Sequence, residues 1–296
     1  MTAIPSGGNA VVSPLSTPGE GAGLRDVFRQ WFLLKLLVRK EIKVRYRGSV
    51  LGLLWSYVKP LMQFLVYYVA LGIFLNLQGS TPNYAIYLFS GIILVNFFVE
   101  VLGNSTRSIV DNRDLIRKIY LPRELFPVST LLVSAIHFLP QTVVLIGACL
   151  LAGWAPSILQ LAAIALAFVI VAILATGLGL LFGAANVYFR DSENIVDMIL
   201  MIVTWASPVL YVWTMVEKAL GPYFFLYQLN PMTVGVEIFH WGFWYPTLNS
   251  DQLAAAPVMH GLASIWAPVA LGVSLLVLFV GQLVFRKLSV RFAQEL

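Results

Sequence analysis

The sequence predicts an all-α membrane protein with six transmembrane helices, an N-terminal amphipathic interface helix, and short re-entrant helices before the last span. Three observations carry that prediction. Of 296 residues, 59% are hydrophobic and 11% charged, where soluble domains carry roughly a quarter charged residues. The apolar residues fall in runs that reach the roughly 20 residues a helical crossing needs. Of the 19 Lys and Arg, eight precede the first run, five lie in one loop after the second, one follows the fourth and three follow the sixth. With six spans these fall on one face, which places both termini in the cytoplasm. An odd number would leave Arg286, Lys287 and Arg291 outside. The same placement accounts for the net charge of +5 without a nucleic-acid partner. One cysteine, Cys149, lies inside an apolar run, so disulfide and zinc frameworks are excluded.

Taken in order, residues 1–23 are rich in Gly and Pro and lack the basic start and apolar block of a signal peptide. They read as a disordered cytoplasmic tail. The stretch 24–49 follows, with Arg25, Arg29, Lys35, Arg39, Lys43 and Arg47 mostly four residues apart, and an apolar stripe at Val27, Trp31, Leu34, Val38 and Ile42. That pattern suits a helix lying in the membrane interface, with Arg39, Lys43 and Arg47 facing lipid headgroups or partners; packing against the protein's own spans is the plainer reading. Gly48-Ser49 bends into the first span, 51–77. The second span is 84–103, the third 125–152 with a kink expected at Pro140, and the fourth, over-long one 157–187. The fifth is 195–213 and the sixth 264–285. Between the last two, 219–229 and 232–245 are apolar but too short to cross, and Asn230-Pro231 divides them. Two half-length helices entering and leaving one face within 214–245 satisfy both length and backbone hydrogen bonding if protein shields the turn; amphipathic helices on the surface are the alternative reading. Residues 246–263 make an external loop.

The most charged insert is 104–127. Arg107, Asp111, Arg113, Asp114, Arg117, Lys118, Arg123 and Glu124 crowd into it, and Leu115, Ile116 and Ile119 form an apolar stripe. The spacing predicts a helix from Asp111 to Tyr120, stopped by Pro122, which biases Leu121 toward extended backbone. The insert either presents this helix to another protein or is a solvated loop that sets topology.

The chemistry available is narrow. No G-x-x-x-x-G-K-[ST] phosphate loop occurs, so any ATP must be handled by another polypeptide. Ionisable groups within the runs are few: His137 beside Gln141, Glu100 and Asp197 near inner ends, Glu237 near the outer face. His137 and Gln141 read either as a relay or as an interhelical hydrogen-bonding pair. Glu237, His240 and Asp251 follow no metal-ligand spacing, so no metal site is predicted. Tyr57, Phe64 and Tyr68 share a face of the first span; Trp205 and Tyr211 offer rings on the fifth. Such rings either line a passage, stacking on the C–H faces of sugars, or pack between helices. Trp55, Trp154 and Trp213 fit interface belts.

Four motifs in order give a resemblance: Arg45-Tyr46-Arg47-Gly48-Ser49-Val50-Leu51-Gly52-Leu53-Leu54-Trp55 with Pro60, then Asp114-Leu115-Ile116-Arg117-Lys118-Ile119-Tyr120-Leu121-Pro122-Arg123-Glu124, Tyr188-Phe189-Arg190-Asp191 and Leu229-Asn230-Pro231-Met232. Over about 24–293 the chain resembles the membrane subunits of ABC-2-type exporters, particularly Wzm-type permeases for O-antigen and other cell-surface polysaccharides. The resemblance implies a transmembrane domain over 50–296 that works as a homodimer with two copies of a separate Wzt-like ABC ATPase, which binds the ATP and Mg. It implies a coupling helix carrying Asp111, Arg113, Asp114, Leu115, Ile116, Arg117, Lys118 and Tyr120. It also implies a lipid-linked glycan as substrate, moved outward across a bacterial plasma membrane. The Gly/Pro/Ser tail resembles actinobacterial members, which suggests a galactan. A drug or lipid exporter of the same superfamily and an ion-driven flippase remain the rivals.

Overall fold

A computed structural model describes residues 23–119, 121–257 and 265–296. Residues 1–22 of the expected tail, Tyr120, and the 258–263 part of the external loop lie outside the described residues. Every regular element among the described residues is helical. Five helices are long and apolar enough to cross a membrane.

The N-terminal stretch is two helices, α1 (Leu24–Arg29) and α2 (Trp31–Arg45). The break falls at Gln30. α2 buries Leu34, Leu37 and Val38 against α7, described below, and leaves Trp31, Phe32, Leu36 and Val44 exposed. It therefore has two apolar faces, one packed on the protein and one open, which joins the two sequence readings. Arg39, Lys43 and Arg47 are exposed. Gly48 takes φ 75°, a conformation only glycine adopts without strain, and turns the chain into the first span.

That span runs Gly52–Phe74. It is a 3-10 turn, then α3 (Trp55–Tyr67), then a π-helical stretch over Tyr68–Phe74. Little of it is buried within the chain. After the short α4 (Leu77–Ser80) comes α5 (Tyr84–Asp111), 28 residues and the most buried of the five long helices. It extends past the predicted end at 103. The small polar residues Ser105, Thr106 and Ser108 are buried, not looped: the Ser105 and Thr130 hydroxyls lie 2.6 Å apart, and Thr106 Oγ1 donates to the Leu102 carbonyl. The predicted 111–120 helix is consequently shorter. It is α6 (Arg113–Lys118), with Asp111 assigned to α5 and Ile119 already extended at φ −132°, ψ 132°.

α7 (Leu125–Leu151) is continuous through Pro140. α8 (Ile158–Tyr188) opens on a capping box in which Ser157 and Gln160 satisfy each other's backbone N–H groups. At 31 residues it rises about 46 Å and is the spine of the bundle, packed on α5, on α12 (Pro231–Phe243) and on α14 (Ala267–Ser289). Glycines make those contacts close. A methyl at Gly281 of α14 would lie 2.1 Å from the Gly177 carbonyl oxygen of α8, and one at Gly179 would lie 2.6 Å from Ser105 Cβ. Small residues at such crossings let helices touch backbone to backbone, the main attraction where no water is present to drive association.

The predicted fifth span differs most. α9 (Ser192–Val203) is only 12 residues, about 18 Å of rise against about 30 Å of hydrocarbon. Pro208 explains the stop: its ring would meet the carbonyl of Thr204, four residues back, were the helix continued. Residues 204–212 are non-helical but tied down. The Tyr87 hydroxyl lies 2.9 and 3.0 Å from the carbonyls of Pro208 and Tyr211, which share its one proton, and Tyr84 donates to Leu210 at 3.0 Å. At the other end of α5, Arg107 is paired with Glu193 and Asp197 of α9. Residues 193–211 thus run the length of α5 from Arg107 to Tyr84.

Short helices α10 (Trp213–Leu220) and α11 (Phe224–Gln228) precede α12. Asn230 caps α12, its side chain accepting from Met232 N at 3.0 Å, and Pro231 takes the first helical position, where its missing N–H is harmless. α12 is almost wholly buried among α5, α8 and α14. Its far end sits beside the turn before α5, where Trp244 Nε1 donates to the Pro82 carbonyl at 2.7 Å. α13 (Ser250–Ala255) occupies part of the predicted external loop. α15 (Phe292–Glu295) ends the chain. A main apolar core lies among α5, α7, α8 and α12, and a second one gathers α1, α2, α6, α15 and the ends of the long helices at the charged face.

Candidate functional site

Helical spacing assembles a cavity of mixed polar and apolar lining at the charged end of the bundle. Ser56, Lys59 and Gln63 share one face of α3; Asn96, Glu100, Asn104 and Arg107, at steps of three or four, share one face of α5. His137 and Gln141, one turn apart on α7, face the same space, and the end of α2 delivers Arg45 and Tyr46. Leu200 of α9 closes one side, and the cavity measures about 820 Å³.

A hydrogen-bonded chain fixes its wall. Arg45 Nη1 donates to Glu100 Oε1, and His137 Nδ1 lies 2.6 Å from the same oxygen. Arg45 Nη1 also lies 3.0 Å from His137 Nδ1, and His137 Nε2 faces the Tyr46 hydroxyl at 3.0 Å. That hydroxyl also contacts Ser56 Oγ at 2.9 Å. Gln63 and Asn96 bond each other across α3 and α5 at 2.9 Å. The network ties α2, α3, α5 and α7 together. Among the residues lining the cavity, Glu100 is the one carboxylate, set against Arg45, Lys59 and Arg107. Arg45 is paired with Glu100, and Arg107 with Glu193 and Asp197, so carboxylates already answer two of those three cations.

Sequence reasoning singled out Glu100 and His137 with Gln141 but did not connect them to Arg45, Gln63 or Asn96. The signal was present as polar residues at helical steps in two otherwise apolar spans. Gln141 donates to the His137 carbonyl at 3.1 Å, within one helix, while the His137 ring bonds across helices to Glu100 and Tyr46.

The predicted channel residues lie elsewhere. None of Tyr57, Phe64, Tyr68, Trp205 or Tyr211 lines the cavity. Phe64 stacks on Tyr68 with ring centres 5.5 Å apart, and Tyr68 on Tyr84 at 6.3 Å. The ladder continues to Tyr87 and to His240, whose ring lies 3.9 Å from that of Tyr87. Tyr57 is half-buried. Trp205 is exposed, and its carbonyl accepts from the Tyr211 hydroxyl at 2.5 Å.

The predicted coupling residues sit together on α6 and its approach. Arg113, Asp114, Arg117 and Lys118 are exposed, Leu115 is half-buried and Ile116 points inward; Asp111 is exposed at the end of α5. Glu237 and His240 are both buried on α12, 3.6 Å apart, and no third metal-binding group joins them among the described residues. On α2, burial pushes the Glu41 carboxyl up, against the pull of a Ser129 hydroxyl that donates to it at 2.6 Å and of nearby Arg45 and Lys40.

Comparison with known proteins matches this architecture. A relative from Klebsiella pneumoniae, an O-antigen export system permease protein RfbA, is 28% identical over 264 residues, 89% of this chain and 95% of its own length. A second from the same organism and of the same name is 27% identical over 264 residues. A third, from Myxococcus xanthus, is 31% identical over 212 residues, covering 71% of this chain and 79% of the relative. The pattern of the ABC-2 type transporter family matches residues 32–244, a stretch that holds α2, the cavity, α6 and α12. The chain belongs to the ABC-2 type transporter family.

Proposed function

We propose that the chain is the permease subunit of an ATP-driven exporter that carries a lipid-linked polysaccharide, of O-antigen or galactan type, from the cytoplasmic to the outer face of a bacterial plasma membrane. Two copies form the passage, and two copies of a separate ABC ATPase, which bind ATP and Mg, dock beneath them. The observation that carries the substrate class is the cavity: Lys59, Gln63, Asn96, Asn104 and Gln141 offer hydrogen bonds suited to sugar hydroxyls and oxyanions. Trp55, Pro60, Val99 and Leu200 give the same cavity an apolar side, so it is the likeness to O-antigen export permeases that sets the superfamily rival second.

The path is built as follows. Six crossings place both termini in the cytoplasm, with the fifth made by α9 and completed by the non-helical 204–212. Anchoring of 193–211 along α5 from Arg107 to Tyr84 supports that reading. α10–α11 and α12 are re-entrant, meeting at Asn230-Pro231, with α12 shielded by α5, α8 and α14. Substrate enters beside the cavity between α3 and α9 and passes the rings of Tyr57, Phe64, Tyr68, Trp205 and Tyr211. ATP binding closes the ATPases, which displace α6 through Asp114, Arg117 and Lys118, and the rigid-body shift opens the path between the first and fifth crossings of the two copies.

Depleting the chain in its native cell tests this. Lipid-linked glycan should build up on the cytoplasmic face while surface glycan disappears. Unchanged surface glycan, or loss of drug resistance in its place, would move the assignment to the rival.

A further inference from the structure

α6 has six residues, and helices shorter than about 12–15 residues do not hold their shape alone. Neither end is a rigid continuation. Asn112, between α5 and α6, leaves helical geometry at φ −104°, ψ 18°, and Ile119 is extended. With a soft joint on each side, packing sets the orientation of α6. Ile116 is its buried residue, and it sits in the second apolar core together with Phe292.

Phe292 belongs to α15 at the end of the chain and is fully buried. Its ring meets Phe285 of α14 edge-on with centres 5.5 Å apart, and lies 6.3 Å from Tyr188 of α8. The Arg123 guanidinium sits over the ring at 5.6 Å. α15 packs on both α6 and α8. The Tyr188 hydroxyl donates to the Leu288 carbonyl at 2.8 Å, binding α8 to α14 a few residues away.

We infer that Phe292 is the positioning residue of the coupling helix: its ring seats α6 and passes the displacement of α6 to the α8–α14 pair. This rests on α6 being the ATPase contact. The route is mechanically sound because α8 and α14 touch backbone to backbone at Gly177 and Gly281, so they move as one body. A second tie, Lys40 of α2 to the Asn112 side chain, keeps α6 attached when the ring is removed. Loss of Phe292 therefore loosens the lever without detaching it.

The test uses the full-length chain in a Cys149→Ala background, purified with its co-purifying ATPase. Spin labels at Arg113→Cys on α6 and Val290→Cys beside α15, in labelled chain diluted with an excess of unlabelled chain, report the distance between them within one copy. The parent should give one narrow distribution, Phe292→Ala a broad or shifted one, and Phe292→Leu, which keeps most of the apolar volume, a narrow one. In proteoliposomes, Phe292→Ala should still hydrolyse ATP but deliver about tenfold less glycan per nucleotide, a size open to packing changes along a coupling route. Should Phe292→Ala fail to accumulate, Phe292→Val is read the same way. A narrow, unshifted distance with normal glycan per nucleotide in the Ala or Val variant overturns the inference. The Arg117→Glu/Lys118→Glu variant separates the two levels. Its normal export would sink the coupling role of α6 itself, whereas its failure beside a normal Phe292 variant would sink only the role of Phe292.

Discussion

Gly281→Ala puts the closest contact of the bundle under direct test. The added methyl would lie 2.1 Å from the Gly177 carbonyl oxygen and 3.0 Å from its carbon, where ordinary contact begins at 3.4 Å. Both neighbours are backbone, so no side-chain rotation relieves the clash and α8 and α14 must separate by more than an ångström. A gap of about 0.5–1 Å already forfeits a quarter to a half of each dispersion contact along the seam, and overpacking of this kind costs about 1–3 kcal/mol. Gly272 on the same helix is the control, because a methyl there meets nothing within 4 Å. Gly272→Ala should be neutral or gain about 0.4–1 kcal/mol from the stiffer unfolded chain. Thermal unfolding of the detergent-purified protein should then place Gly281→Ala below Gly272→Ala by several degrees, at about 2–4 °C per kcal/mol. Equal melting of the two variants would refute the close packing of α8 on α14.

Other perturbations follow from the same geometry. Arg117→Glu/Lys118→Glu should leave the chain inserted and ATP hydrolysis running while export stops, measured as surface glycan against nucleotide turnover. Gln63→Leu with Asn96→Leu should keep the α3–α5 contact apolar and the fold intact but lower export about tenfold, as expected when a substrate's polar groups lose their partners; export at the parent rate would take the cavity out of the path. Tyr57→Ala should impair glycan passage more than dimer assembly, whereas Tyr68→Ala, which breaks the stack with Phe64 and Tyr84, should lower thermal stability as well. The raised Glu41 carboxyl fixes the sign of a pH effect. Its folded form holds its proton more tightly than the unfolded chain does, so the docking of α2 on α7 is strongest in acid and weakens as pH rises through the raised value. Glu41→Gln should remove that dependence and increase hydrogen-exchange protection of α2 at neutral pH.

Much of the bundle was legible because apolar run length and Lys/Arg placement are strong signals. The Asn230-Pro231 division was legible too, since a capping Asn before a first-turn Pro has one local meaning. What fails at Pro208 is the continuity of the fifth stretch as a helix: hydropathy over 195–213 looks unbroken, and a single proline is outweighed in any such average although its ring stops the helix. The end of α5 was misread for the opposite reason. Asn104, Ser105 and Thr106 look like a loop by polarity, but the Thr106 hydroxyl is satisfied on its own helix and that of Ser105 on Thr130 of α7, and the turn fits against Gly179 and Gly183 of α8, a fact visible only once the partner helices are in place. The cavity needed the same pairing. Gln63 and Asn96 each read as an isolated polar residue until α3 and α5 meet. Phe292 carried no sequence signal at all, since an aromatic residue five from the chain end reads as tail.

The central claim is that this chain supplies a passage and a lever while another polypeptide supplies the motor. Reconstituting the purified chain alone, and with its co-purifying ATPase, into liposomes loaded with lipid-linked glycan tests it most directly. Glycan should cross only with both proteins and ATP present, and the chain by itself should turn over no nucleotide. Transport by the lone chain, or transport that survives without ATP and collapses with the proton gradient, would contradict the account.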